Sequence, residues 1–429
     1  MTHPLTRRTF IKAGMAAAAG TAPVAASAIE GSTPAAQAAG QAAPGISRAL
    51  PDVVVVGSGA FGAWTALALR ERGARVTLLD AHGPGHPRAT SCDEVRQIRF
   101  SYGDREVYSR SAKNALALWK TRQIEFGRKL LFPGGRLVMR TGWNKELDDQ
   151  KAIFDKLSLP YEVLKPDEMA KRFPQVGFDG VGIGFMDIEA GLLKAREAIM
   201  AITETFERKG GTIRVARAMP GAATARTMTE VTLNGRETLA GGAFVFACGP
   251  WLRHVFPELL GKVITTDRIE VAYLGSPAGD TSYRQGILPN LSEEGTFPGA
   301  PGEVSYTQSD IDAGLKIVRG GPRWPMDLDH DERVVSARQI SRIHEYARVR
   351  FPKLKAPIVA SRVCQSDGSP DLHFVLDRHP GFDNAWIAGG GSGHGFKHGP
   401  VVGEYMADRV AGRPVVPELH QFFGLAKRV

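Results

Sequence analysis

The residues of this 429-residue chain whose types and spacing could do chemistry fall into four groups, the first being Gly57-Ser58-Gly59-Ala60-Phe61-Gly62 with Asp80 behind it. In such a loop the first glycine allows a tight turn, the second lets backbone N–H groups approach a pyrophosphate, and the third lets a following helix pack closely on a strand. Asp80 stands at the offset where a carboxylate accepts the ribose hydroxyls of a dinucleotide. The second group is Arg96 and Arg99, three apart, a spacing that would put them on one face of a helical turn. The third is Lys316 in Gly314-Leu315-Lys316-Ile317, and the fourth runs from Cys364 to the Gly389–Lys397 stretch GGGSGHGFK. These residues alone leave FAD and NAD both open.

Chemistry of this kind needs rigid supports on either side of the loop. Residues 52–56 form an apolar β-branched run that reads as a fully buried parallel strand. A helix over 63–72 ends at Gly73 with Arg70 and Arg72 in its last turn, and a second apolar strand over 75–79 delivers Asp80. An amphipathic helix is expected over 104–126, with Tyr108, Ala112, Ala115, Leu116 and Trp119 on one side, and further helices over 144–157, 166–173 and 192–209. Strand signals at 212–216, 229–233 and 243–247 follow, the last running into Cys248-Gly249-Pro250-Trp251, a second corner placed to meet a cofactor. From 263 to 318 short strands with Gly/Pro turns, such as 269–274 and 315–318, give an antiparallel signature. Ser336 and Gln339 make a capping box for a helix to about Arg350, and buried strands are expected at 358–363, 373–377 and 385–388.

Length argues for two domains. The pattern suggests an α/β Rossmann-like dinucleotide domain assembled from 51–129, 197–264 and 358–429, with an inserted α+β substrate domain on a mixed or antiparallel sheet, 130–196 and 265–357. Before them, 1–28 resembles a twin-arginine signal peptide, with Arg7-Arg8, a weakly apolar Ala/Gly run and Ala26-Ser27-Ala28 as cleavage site. Gly20 and Pro23 interrupt that run, which argues against a membrane anchor, and 29–50 reads as a flexible linker. The expected location is therefore periplasmic or secreted, by way of the twin-arginine export machinery. Loss of Arg7, Arg8 and Lys12 with the leader takes the formal charge from +9 to +6, a balance that suits an anionic substrate. No basic run interleaved with aromatics suggests nucleic acid, and Cys92, Cys248 and Cys364 are too scattered for a disulfide framework or a metal site.

Four motifs together resemble the D-amino-acid-oxidase-like flavoproteins, in the branch of monomeric sarcosine oxidase and N-methyltryptophan oxidase: GSGAFG with Asp80, SCDEVRQIRFSYGD, GLK at 314–316, and Cys364 followed by Asp371, His373-Phe374, Asp377, His379-Pro380 and GGGSGHGFK. The resemblance implies FAD, held by Gly57–Gly62, Asp80, Ala81, Thr90, Ser91, Arg96, Gly249 and Gly393-His394-Gly395-Phe396-Lys397, and bonded covalently through Cys364. It implies that Arg99 and Lys397 hold a substrate carboxylate, that Arg96 lies against the flavin, and that Lys316 activates oxygen. The implied reaction is oxidation of an amino acid or secondary amine to an imine, with oxygen leaving as hydrogen peroxide. A dehydrogenase that passes electrons to a quinone or carrier is the alternative, and a flavin-holding partner without turnover a further one. Two positions depart from the pattern: Gly320 where the family has a pocket histidine and Ser366 where it has an aromatic hydroxyl, so a substrate bulkier than sarcosine is expected. Cys92 and Cys248 read as packing residues.

Overall fold

The computed structural model describes residues 50–321 and 324–428; the expected leader and nearly all of the expected linker lie outside the described residues. Among the described residues, a six-stranded sheet runs in the order Val375–Arg378, Ala385–Gly389, Ala243–Phe246, Val53–Val56, Val76–Asp80 and Thr212–Val215. All neighbours are parallel except the edge strand Val375–Arg378. The four consecutive valines 53–56 explain the centre of this sheet. Side chains alternate between its faces, so Val53 and Val55 join a core with helices Ala60–Glu71, Ala195–Arg208 and Gly399–Val410. Val54 and Val56 join a second core behind it, with Phe244, Phe246 and the antiparallel strands Ala218–Pro220 and Glu230–Leu233.

The second sheet is mixed and nine-stranded. Its path is Trp324–Pro325, Thr265–Leu274, Leu315–Arg319, Val304–Gln308, Asn290–Glu294, Arg136–Arg140, Ile183–Asp187 and Tyr161–Leu164, with Ile358–Gly368 also on Thr265–Leu274. Helix Ala337–Arg350 packs on one face, its Ser336 hydroxyl accepting from the Gln339 amide, but the expected capping box is only half formed, because the Ser336 amide donates to Glu270 and not to the Gln339 side chain. Arg350 and Glu293 form a fully buried ion pair at 2.6 Å there. A small antiparallel sheet, Val95–Ile98, Gly191–Lys194 and Leu131–Pro133, completes the scaffold.

Two local expectations change. Arg96 lies in a strand, Val95–Ile98, with Arg99 just past its end and not one helical turn away, and the strand pairs with Gly191–Lys194. Val95 and Ile98 are its buried residues, and β-pairing of this short apolar-polar run overrides the three-residue arginine spacing. The strand expected at 358–363 continues to Gly368, pairs antiparallel with Thr265–Leu274 along its length, and exposes residues 359–361. The helix expected from 104 spans Glu106–Glu125 with Tyr108, Ala112, Ala115, Leu116 and Trp119 buried as a stripe. No described helix is long and apolar enough to cross a membrane.

Candidate active site

A cavity of about 1250 Å³ runs from the Gly57 loop to the nine-stranded sheet. That exceeds the roughly 300–1,000 Å³ of a drug-sized pocket, leaving room for a dinucleotide and a small substrate. At its near end, Gly57 has φ +104°, and a Cβ there would sit 2.4 Å from the Ala247 carbonyl oxygen, so only glycine fits this turn. A Cβ on Gly62 would lie 1.8 Å from the Gly57 oxygen, which is why the helix can rest on the strand only at a glycine. Gly57, Gly59, Ala60, Phe61, Asp80, Ala81, Thr90, Ser91 and Gly249 line the cavity; Ser58 and Gly62 do not. Ser58 instead donates its amide and hydroxyl to Asp80 Oδ2, both at 2.8 Å, so Asp80 braces the loop as well as facing the cavity. Ser91 Oγ accepts the Ala60 amide at 2.8 Å, and the Thr90 hydroxyl is buried with no partner. Substitution Gly62→Val is expected to leave the purified protein without FAD, read as loss of the flavin absorbance in whatever fraction remains folded.

Mid-cavity, Asp93 is a hub that sequence reasoning passed over. Its carboxylate is fully buried, accepts from Lys316 Nζ at 2.6 Å, and bonds to Arg96 and to the Tyr273 hydroxyl. Arg362 approaches at 3.4 Å and the Cys364 thiol at 3.9 Å. Burial alone would raise the Asp93 carboxyl, but Lys316 and Arg96 outweigh it and hold it well below the usual carboxylate range. Burial draws Lys316 below its ordinary value against the attraction of Asp93, with Arg96 adding to the depression. With two cations on one carboxylate, Asp93 stays ionised. Lys316 is thus a buried residue at the cavity wall and not a solvent-facing strand lysine. Burial, then Asp93, pushes the Cys364 thiol up, with Arg96 and Lys316 opposing. All three cysteines are free thiols, Cys92 buried and Cys248 donating weakly to the Val56 carbonyl.

At the far end, Arg99, Lys397 and Arg136 line the cavity together. Lys397 Nζ donates to the Tyr102 hydroxyl at 2.8 Å and the His394 carbonyl at 2.7 Å, and Arg99 lies 4.1 Å over the Tyr102 ring. Trp119 Nε1 fixes the Lys397 carbonyl at 2.9 Å, so the buried stripe of the Glu106–Glu125 helix positions this turn. Burial, reinforced by Arg99 and Arg136, pulls Lys397 well below its ordinary value. From Tyr102 the hydrogen bonds continue to His398 Nε2 at 2.9 Å, and from His398 Nδ1 to half-buried Ser111 at 2.9 Å. Burial and Lys397 hold His398 neutral. His394 donates Nε2–H to the Leu372 carbonyl at 3.1 Å, which leaves Nδ1 an acceptor, buried and unpartnered. Gly393, His394, Gly395 and Phe396 also line the cavity, as do Cys364, Ser366 and Gly320. A Cβ on Gly320 would fall 1.9 Å from the Val304 oxygen, so this strand admits no side chain there. Asp367, unremarked in the sequence, accepts the Gly391 amide at 2.8 Å and holds the glycine run against the cavity.

The cavity has the size and the glycine loop that a dinucleotide needs, and the sequence model of the FAD dependent oxidoreductase (DAO) family matches residues 52–409. The chain belongs to that family and is an FAD-dependent oxidoreductase. It is 26% identical over 369 residues to human "Peroxisomal sarcosine oxidase", 83% of this chain and 90% of that one. It is 24% identical over 367 residues to "N-methyl-L-tryptophan oxidase" of Salmonella heidelberg, 84% of this chain and 95% of that one. Among solved structures, the open form of "NikD, an unusual amino acid oxidase essential for nikkomycin biosynthesis" shares the fold with TM-score 0.72 at 24% identity, covering 86% of this chain and 95% of its own.

Proposed function

We propose that the chain is an oxidase of an N-substituted or cyclic amino acid, taking hydride from the carbon next to nitrogen and releasing an imine and hydrogen peroxide. The observation that carries this reading is that Arg99 and Lys397, neither ion-paired among the described residues, face the same cavity as the dinucleotide loop. FAD, when bound, supplies the hydride acceptor and the route to oxygen. Gly57, Gly59, Ser91 and Thr90 would hold its pyrophosphate end, with Arg96, Cys364 and the His394–Lys397 turn at its ring end.

Two cations aimed at one carboxylate fix the amine and its neighbouring carbon, the positioning that hydride loss needs. Lys397, held below its ordinary value, takes a proton from the arriving ammonium and gains the charge that pairs with the carboxylate. The Tyr102, His398 and Ser111 chain of hydrogen bonds holds the Lys397 amine in place for that exchange. Gly320 and Ser366 leave the wall open for a substrate larger than sarcosine. The sarcosine and N-methyltryptophan oxidases among the relatives act on N-methyl amino acids by name, in keeping with this reading.

Cys364 borders the cavity beside Arg96 and Lys316, whose charges offset part of the rise that burial and Asp93 impose on its thiol. Acid precipitation of the purified protein is expected to leave the yellow colour in the pellet, and Cys364→Ser to move it to the supernatant; colour in the supernatant of both would remove the linkage. Export by the twin-arginine route rests on 1–28, and recovery of the enzyme only from cytoplasm on fractionation would contradict it. The reading as a whole is tested by mixing the holoprotein with N-methyl and cyclic amino acids under nitrogen. Bleaching of the flavin by at least one supports it, and bleaching by none overturns it.

A further inference from the structure

Arg136 has no part in the reaction described above, yet it is the third cation at the carboxylate end of the cavity. It stands on Arg136–Arg140, 9% exposed, and its Nη1 donates to the Ser101 hydroxyl while Arg99 donates to the carbonyl of the same residue. With Lys397 and Arg99 both on Tyr102, three cations hang on two consecutive residues. None forms an ion pair among the described residues. The acid within electrostatic reach of Arg136 and Arg99 is Asp187, directly opposite Arg136 on the neighbouring strand. Its Oδ2 is taken by the Phe100 amide at 2.8 Å and by Ser101 at 3.5 Å, and burial pushes its carboxyl up to about 6.

The charges then decide the ligand. Arg99 and Arg136 are guanidinium cations, Lys397 gains a proton from the substrate ammonium, and Asp187 offsets one of the three. Two positive charges remain in a place with little water. A monocarboxylate would leave one of them buried and bare, which is costly, whereas two carboxylates match them. Burial and then Arg99 already push Arg136 well below its ordinary range, a strain that an anion would relieve. Gln308 adds a polar group on the same floor. It is 3% exposed, lines the cavity opposite Lys316 in the sheet, and its Oε1 has no partner.

We propose that the substrate is a dicarboxylic N-substituted amino acid, one carboxylate held by Arg99 and Lys397 and the second seated on Arg136. This rests on the reading of the site as an amino-acid oxidase and narrows its substrate class.

The test compares N-methylglutamate with N-methylglutamine, which differ by one charge at nearly equal shape, in both enantiomers and at fixed ionic strength. The holoenzyme is expected to favour the diacid by about 100-fold in kcat/KM, the worth of a desolvated charge-assisted pair. Arg136→Met should erase that preference, lowering kcat/KM for the diacid far more than for the amide, and Arg136→Lys should recover part of it. Equal turnover of acid and amide by the wild type, or an equal loss of both in Arg136→Met, overturns the proposal. Binding of glutarate against glutaric acid monoamide, read by the flavin absorbance, judges Arg136 without turnover. Tighter glutarate in the wild type but not in Arg136→Met supports the second seat even if neither amino acid bleaches the flavin, and equal binding removes it. Failure of every N-substituted amino acid to bleach the flavin counts against the oxidase reading alone.

Discussion

Lys316→Met is expected to slow reoxidation by oxygen by about 10²–10³-fold, the range found when one preorganised charge-stabilising group is removed, while substrate still bleaches the flavin under nitrogen at a rate within about tenfold of wild type. The split follows from where Lys316 sits. Lys316 is 1% exposed, is held by Asp93 at 2.6 Å and borders the cavity, sharing Asp93 with Arg96 and the Cys364 thiol, whereas Arg99 and Lys397 gather on Tyr102. A positive charge fixed in a dry wall stabilises negative charge that develops in front of it when electrons pass to oxygen, and it contributes nothing to holding substrate. Methionine keeps the length and apolar stem, so the wall stays filled. Equal loss in both half-reactions would place Lys316 in the structure of the site only, and no loss in either would remove its role.

Asp93→Asn should be the most destabilising single substitution in the site, by about 3–5 kcal/mol, the cost of breaking a buried pair and leaving its cation uncompensated. Asp93 is fully buried and is shared by Lys316, Arg96 and Tyr273, with Arg362 and Cys364 at its margin. Its effect on pH follows from the direction of its shift. A carboxyl held well below 3.8 in the fold contributes stability that is fully present above the unfolded value. That stability is lost as pH falls through the folded value, so wild-type denaturation in urea should steepen its pH dependence below about pH 4, and Asp93→Asn should flatten it. The substitution should also weaken retention of flavin, because Arg96 loses the anchor that aims it. Denaturant midpoints at about pH 7 and about pH 3.5, with flavin content, check both parts.

The dinucleotide half was legible because its signals are local. Four valines, three glycines and one acid within about 30 residues fix strand, turn, helix and strand. The motifs also marked Arg96, Cys364 and Lys397, each by its own neighbours, and the fold brings all three to one cavity. Asp93 was not legible. It lies inside SCDEVRQIRF, where a lone carboxylate reads as solvated, and its meaning comes from Lys316, 223 residues on, and Cys364, 271 residues on. Arg136 is hidden similarly, since a charged residue at a strand end ordinarily faces water, and only the sheet register brings it beside Asp187 and above Ser101. The strand at Val95–Ile98 was misread as helical because its pairing partner, Gly191–Lys194, is remote in sequence.

One measurement tests the central claim most directly: purified yellow protein, an N-substituted amino acid that bleaches it under nitrogen, and air admitted while amine loss and hydrogen peroxide are followed together. An oxidase acting at the carbon–nitrogen bond yields about one peroxide per substrate consumed, with the colour returning when substrate runs out. Colour that returns only when a quinone or dye is added, with no peroxide in air, would contradict it.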